Sequence, residues 1–427
     1  MTRDSRFWHP FADMGAVRAN EFVIDRAQDV WIWDAAGNRY LDATAALWYT
    51  NVGHGRMEIV DAVAAQMRRL AAYHTFGDFS NEPAQQLADR LAGYAPMEDA
   101  RVFLVSGGGD GVETAYKMAR RYWIESGEPG RTHVISRTNS YHGTHGFGTS
   151  IAGIPANRQS WGPLPEDNTV VPWDSVDAFA DTVQRLGPER VAAVYIEPVI
   201  GAGGVHPPPP GYLEGMADVC RETGVLFICD SVIAGFGRLG TWYGIERWRL
   251  QPDLIVFAKG VTSGYQPLGG VVASRRVSAP FFGAPGGPML RHGATYSGHP
   301  AACAAALANL DILEADGLLE RGRTMEQPLL DALRRCADHP LAAEARGGMG
   351  LMGALAFDPE ALAADPLIPN RVAAAARGQG LIIRAVANAM VCSPPLTVTH
   401  EHLDHLAGAL SQALDEVHAA LPAAARA

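Results

Sequence analysis

Two patterns of apolar residues alternate along the chain. Short continuous runs stand at 101–105 (RVFLV), 132–136, 192–196 (AAVYI), 225–229 (VLFIC) and 253–258 (DLIVFA), with the length and β-branched content of buried strands. Between them the spacing lengthens to that of a helix. Ile59, Val63, Met67 and Leu70 share one face of a helix within 56–73, and Tyr212–Thr223 is helical and closed by Gly224. A glycine-rich turn follows the 101–105 run, and a helix is expected from about Val112. Strands alternating with helices predict a mostly parallel sheet covered on both faces. A helical stretch at 300–314 closes this large domain. Beyond about 315 the order becomes helix, a strand near 351–357, helix, short strands and a last amphipathic helix at 401–420. The reading is an N-terminal segment (1–55) that joins the small domain, a large domain (56–314) and a small C-terminal α/β domain (315–427).

Composition narrows the class. With 427 residues, 48% of them hydrophobic, the chain can bury a substantial core. No apolar run approaches the roughly 18–20 residues of a membrane span, and Met1 to Trp8 lacks a signal-peptide core. Cys220, Cys229, Cys303, Cys336 and Cys392 form no CxxC pair, which suits a reducing compartment. A soluble cytoplasmic protein is expected, with no membrane partner. The net charge of −11 argues against nucleic acid. Of the 35 basic residues 33 are arginine; the lysines are Lys117 and Lys259. Neither follows a glycine, so there is no P-loop. Arginine does not give up its proton, so a reaction that needs a free amine has two candidate side chains.

In open parallel sheets ligands bind beyond the carboxyl ends of the strands. Ser106–Gly111, Glu197, Asp230 and Lys259 each follow an apolar run. Alone, Asp230 reads as a loop acid or helix cap and Lys259 as a strand-end lysine. Together, a carboxylate buried at one strand end and a lysine 29 positions on form the anchor of a pyridoxal phosphate site. The lysine forms a Schiff base, and the aspartate keeps the pyridine nitrogen protonated so that the ring takes up electrons. The Ser106–Gly111 turn opens a helix, and the N–H groups of Gly108 and Gly109 suit a phosphate.

These residues resemble the class III aminotransferases of pyridoxal phosphate fold type I, over nearly the whole chain. The stretch 230–273 is similar to the family's signature segment, with Asp230 and Lys259 as pyridine anchor and Schiff-base lysine. The resemblance implies an α/β fold: a large cofactor-binding domain with a mostly parallel central sheet, plus a small α/β domain. It places the Tyr141 ring on the cofactor with His142 beside it, Val232 on the opposite ring face and Glu197 in the Glu-Pro that follows a central strand. Gly293-Ala-Thr-Tyr-Ser-Gly-His-Pro300 resembles the segment whose threonine, here Thr295, reaches the phosphate of a neighbouring subunit. That implies a homodimer, or a tetramer built from it. Two departures stand out. The family's Ser-Gly-Ser-Glu is Gly107-Gly-Gly-Asp110 here, so Gly109 lacks the hydroxyl. Its Asp-Glu-Val is Asp230-Ser-Val232.

Within the family, Glu-Pro-x-x-Gly-Glu accompanies glutamate and 2-oxoglutarate. Here Glu197-Pro-Val-Ile-Gly-Ala202 puts Ala202 in the second glutamate's place. With Leu47-Trp48 and Asn51-Val-Gly53, the chain is more similar to the omega-amino acid and amine–pyruvate transaminases. The resemblance implies that Trp48 and Tyr141 line the substrate pocket. Arg384 then binds a substrate carboxylate and swings aside for an apolar group. The expected activity is ping-pong transfer of an amino group from an omega-amino acid or amine to pyruvate. Three alternatives stay open: a racemase or aminomutase on the same scaffold, the diaminopelargonate-forming aminotransferase suggested by Trp8-His-Pro10, and a non-enzymatic cofactor-binding protein. Two further patterns are discounted. Gly348-Met-Gly-Leu-Met-Gly353 fits a dinucleotide fingerprint but follows no convincing strand, and His400, His402 and His405 form no closed metal-ligand set.

Overall fold

A computed structural model describes residues 6–386 and 388–421. Its centre is a seven-stranded sheet in the order Arg101–Val105, Gly269–Ala273, Leu254–Phe257, Leu226–Asp230, Val191–Ile196, His133–Arg137, Asn168–Val171. The last five are mutually parallel. Gly269–Ala273 runs antiparallel to both neighbours. Every residue of Val191–Ile196, Leu226–Asp230 and Leu254–Phe257 is buried, which is why these strands read as unbroken apolar runs. Helices Gly108–Glu125 and Tyr212–Thr223 pack on the sheet, and Pro300–Ala315 packs on Met57–Arg69 and Glu82–Tyr94. Gly224 ends its helix in the left-handed region, at φ 75°, where glycine has no Cβ to clash.

Two smaller sheets complete the fold. Ile24–Gln28, Trp31–Asp34 and Arg39–Asp42 form an antiparallel meander, and Arg39–Asp42 pairs in parallel with Leu381–Ile382. The other sheet runs Ala342–Arg346, Gly353–Phe357, Ala389–Cys392, Arg384–Val386, all antiparallel. The final helix, His400–Ala420, starts from a capping box between Thr399 and His402.

The structure corrects three details. The helix after the glycine-rich turn begins at Gly108, not near Val112, so the glycines form its first turn. Gly269–Ala273 gave no signal, because its glycines interrupt the apolar run. A strand, Ala342–Arg346, does precede the 348–353 glycines. It was missed because its residues are partly exposed rather than apolar. A strand rather than a helix follows, so these glycines turn a hairpin and lack the helix N-terminus that a dinucleotide needs. Among the described residues no helix is long and apolar enough to cross a membrane.

Candidate active site

A cleft of about 500 Å³ opens at the carboxyl ends of the parallel strands. Its wall includes Gly108, Gly109, Tyr141, His142, Glu197, Asp230, Val232 and Lys259. Sequence positions far apart thus meet because each terminates, or closely follows, a neighbouring strand.

Asp230 is the last residue of a buried strand. Its Oδ1 accepts the Val232 N–H at 3.1 Å, and its Oδ2 lies 2.8 Å from His142 Nδ1. His142 is buried, and its Nε2 has no partner among the described residues. The imidazole and the Val232 N–H together hold the orientation of the carboxylate. Ser231 is fully buried, and its hydroxyl donates to the Tyr243 carbonyl at 2.6 Å. A glutamate there would have to bury a carboxylate against that carbonyl, which accounts for the serine.

Lys259 lies just beyond the Leu254–Phe257 strand, at φ +48°. That left-handed conformation costs about 1–2 kcal/mol for a residue with a Cβ. Asn309 fixes the turn by donating to the Gly260 and Val261 carbonyls at 2.9 and 3.0 Å. Burial pushes the Lys259 amine below the ordinary lysine range, against the opposing pull of Asp230 and Glu197 and with a smaller push from Arg384 in the same direction. The amine makes no hydrogen bond or ion pair among the described residues, and its burial favours the neutral, nucleophilic form relative to an exposed lysine.

Glu197 staples two loops together. Its Oε1 accepts the Tyr141 N–H and its Oε2 the Gly201 N–H, both at 3.0 Å. Burial raises its pKa, opposed by His142 and these N–H donors. The glycines at the helix start are closely packed. A Cβ on Gly108 would stand 3.1 Å from both Val232 methyls, and one on Gly109 would stand 3.2–3.4 Å from the His145 ring. Free N–H groups at this helix start, a carboxylate and an unpaired amine are the complement of a phosphorylated pyridine aldehyde. The residues fit pyridoxal phosphate.

The remaining predicted residues sit elsewhere. Trp48 is 3% exposed and belongs to a buried cluster with Val199, Val205 and Ile233, while Tyr49 lines the cleft in its place. The cause is the local backbone: Ala45, Ala46 and Trp48 all have positive φ, at 43°, 56° and 66°. Asp42 holds this turn by accepting from Thr44 and from the Ala46 N–H at 2.6 Å, and its Oδ2 lies 3.0 Å from His54 Nε2. Ala202 packs on the Trp48 cluster, as does Val386. Arg384 starts an edge strand, is exposed, and has no ion-pair partner among the described residues. Burial raises the Tyr141 pKa, and Arg384 is close enough to oppose that rise. Thr295 is exposed and lies outside the cleft. Lys117 is exposed on its helix, with Nζ 3.4 Å from His292 Nδ1. The sequence reading did not include Tyr49, Asp42 or His145 among the site residues.

A cofactor cleft at the ends of a mostly parallel sheet, with a lysine and an aspartate on adjacent strands, defines a pyridoxal phosphate enzyme. Residues 14–414 match the class III aminotransferase family, and the chain belongs to it. Putrescine–pyruvate aminotransferase of Pseudomonas aeruginosa is 37% identical over 93% of this chain and 91% of that protein. Among solved structures, an (S)-enantioselective omega-transaminase from Thermomicrobium roseum is 38% identical, covers 96% of each chain and superposes with a TM-score of 0.90. An amine transaminase from an uncultivated Pseudomonas species, in its pyridoxal phosphate-bound form, is 37% identical. It covers 97% of this chain and 100% of its own, with a TM-score of 0.92. The protein is a pyridoxal phosphate-dependent aminotransferase of class III.

Proposed function

We propose that this aminotransferase moves an amino group from an omega-amino acid or amine to pyruvate, in a ping-pong reaction. The observation that carries the reading is Ala202 together with an Arg384 that has no ion-pair partner among the described residues. The protein has no glutamate at position 202 to hold the guanidinium, so Arg384 is available to a substrate carboxylate and can yield to an apolar group. The names of the relatives, a putrescine–pyruvate aminotransferase and omega-transaminases, support the same class.

Pyridoxal phosphate supplies an aldehyde that condenses with amines and a ring that takes up the electron pair left when the donor carbon loses its proton. In our reading Asp230, oriented by His142, holds a proton at the pyridine nitrogen. Tyr141 and Val232 confine the two faces of the ring, and Gly108 and Gly109 present backbone N–H groups to the phosphate. Lys259 Nζ takes the proton from the donor's amine-bearing carbon, a role that its lowered pKa favours. Tyr49 lines the pocket and Trp48 backs it. Donor and acceptor use one cleft in turn, which makes the kinetics ping-pong.

Thr295 follows a groove lined by Phe76, Phe79, Met289 and Gly293, and Tyr73 and Tyr296 are exposed nearby in the chain. Such an apolar surface suits a second copy, and we assign Thr295 to the partner's phosphate. Five buried, unpaired cysteines suit the cytoplasm, where we place the protein.

The test is a donor screen against pyruvate with alanine release as the readout. Omega-amino acids and amines should yield alanine, with parallel lines in double-reciprocal plots. Lys259→Ala should lose the visible absorbance of the bound cofactor and at least about 10⁴-fold in turnover, as expected on removal of the acid–base and covalent group. Amino transfer to 2-oxoglutarate, with release of glutamate, but not to pyruvate would reject the acceptor assignment, and interconversion of a substrate without any keto acid would reject transamination.

A further inference from the structure

Gly109 leaves the cofactor's phosphate end short of a side chain, and the structure shows what fills the space. The His145 ring lies over Gly109: a Cβ on the glycine would meet Nε2 at 3.2 Å, Cε1 at 3.3 Å and Cδ2 at 3.4 Å. Nε2 therefore stands in the neighbourhood that a hydroxyl on residue 109 would occupy. His145 also lines the cleft, and its Nδ1 lies 3.6 Å from Asp110 Oδ1.

This placement is built rather than incidental. Glu113, on the helix that Gly108 starts, accepts the Phe147 and Gly148 N–H groups at 2.7 and 3.0 Å. It thereby ties the segment that follows His145 to the glycine-rich helix. Gly143, at φ +85°, lets the loop approach so closely that a Cβ on it would stand 3.1 Å from Gly109 Cα. A Cβ on Gly148 would lie 2.3 Å from the His142 carbonyl. Both ends of the loop are thus held by contacts that a larger residue would break. The electrostatics agree. Asp110 and Glu113 place two carboxylates in the first turns of the helix that faces a dianionic phosphate, and an N–H donor from the His145 ring offsets part of that repulsion.

From this geometry we infer that His145 is a phosphate-binding residue. It donates from Nε2 to the phosphate of pyridoxal phosphate in place of a side chain on residue 109, while Asp110 orients the ring from Nδ1. The inference rests on the reading of this cleft as the cofactor site.

The test compares pyridoxal phosphate with pyridoxal, which has the same ring and aldehyde but no phosphate. Apoenzyme and its His145→Ala variant are titrated with each, by the absorbance of the bound chromophore. Loss of one charge-assisted hydrogen bond should weaken pyridoxal phosphate at least about tenfold and leave pyridoxal affinity unchanged. The ³¹P resonance of the bound cofactor should shift in the same variant. Equal weakening of both ligands, or of neither, overturns the inference, because a general structural role would not distinguish them. If His145→Ala does not fold, His145→Phe replaces it; it keeps the ring's bulk without an N–H donor, and the same two outcomes decide. Wild-type apoenzyme that takes up neither ligand overturns the cofactor reading itself, a result separate from the failure of His145.

Discussion

Lys259 combines a strained backbone, a buried amine and no pairing partner, and each property has a measurable consequence. Burial disfavours its ammonium form, so the cofactor-free protein releases that proton at lower pH than the unfolded chain does. Between the lowered value and the ordinary lysine value near 10.4, the unfolded state binds more protons, and stability gains from this residue as pH rises. Uptake of the cofactor aldehyde by the apoenzyme needs the neutral amine. Its rate should rise with pH and level off below the ordinary lysine pKa; a stopped-flow profile with its midpoint at or above that value would contradict the burial argument. Asp230 and Lys259 were legible in the sequence because an ionisable group at the end of an apolar run is costly and demands a reason. Tyr49 and His145 were not. The first depends on the left-handed turn at 45–48, which sends Trp48 into the core and its successor into the cleft. The second depends on a tertiary approach between Gly109 and His145 that no local pattern encodes.

At the scale of elements, the close approach of the Gly108–Glu125 helix to the sheet sets the cofactor cradle. A Cβ on Gly111 would stand 2.9 Å from Val256 Cγ1 and 3.2 Å from the Gly270 carbonyl, with no flexible side-chain end to give way. Gly111→Ala should therefore destabilise the protein by about 1–3 kcal/mol, as overpacking does. It should also weaken cofactor retention by pushing the helix start away from the strand ends. Gly93→Ala provides the contrast. That glycine lies inside the Glu82–Tyr94 helix, and a Cβ there meets nothing within 4 Å. Its replacement should stabilise by about 0.5–1 kcal/mol through helix propensity alone. Urea unfolding of the two variants reads both signs; the same sign for both would refute the packing argument. Most large-domain elements could be read from apolar periodicity, since buried parallel strands leave continuous runs. The strands that escaped, Gly269–Ala273 and Ala342–Arg346, are interrupted by glycine or partly exposed, and their pairing is decided by neighbours distant in sequence.

For the whole molecule, the proposed site draws on separate sheets. Lys259 and Asp230 belong to the rigid central sheet, whereas Arg384 stands on the edge strand of a smaller one. Cofactor chemistry and carboxylate recognition can therefore be separated by mutation. Arg384→Ala should lower kcat/KM for carboxylate-bearing donors by about ten- to a hundredfold, the range of one charge-assisted interaction, and leave donors without a carboxylate little changed. Following only the donor half-reaction, by the absorbance of the cofactor, keeps the acceptor's own carboxylate out of the comparison. Equal losses for both donor classes would assign Arg384 a structural role.

The distribution of nucleophiles has one more consequence. An aminotransferase turns amino compounds into carbonyl compounds and so bathes in its own electrophiles, which condense with lysine amines and add to thiols. All five cysteines here are buried, and the basic surface is built from arginine, whose guanidinium stays protonated and does not form imines with such carbonyls. Of the two lysines, only Lys117 stands exposed on a helix face. Beside Lys259, on which turnover depends, the described surface thus offers its products a single further lysine amine, Lys117.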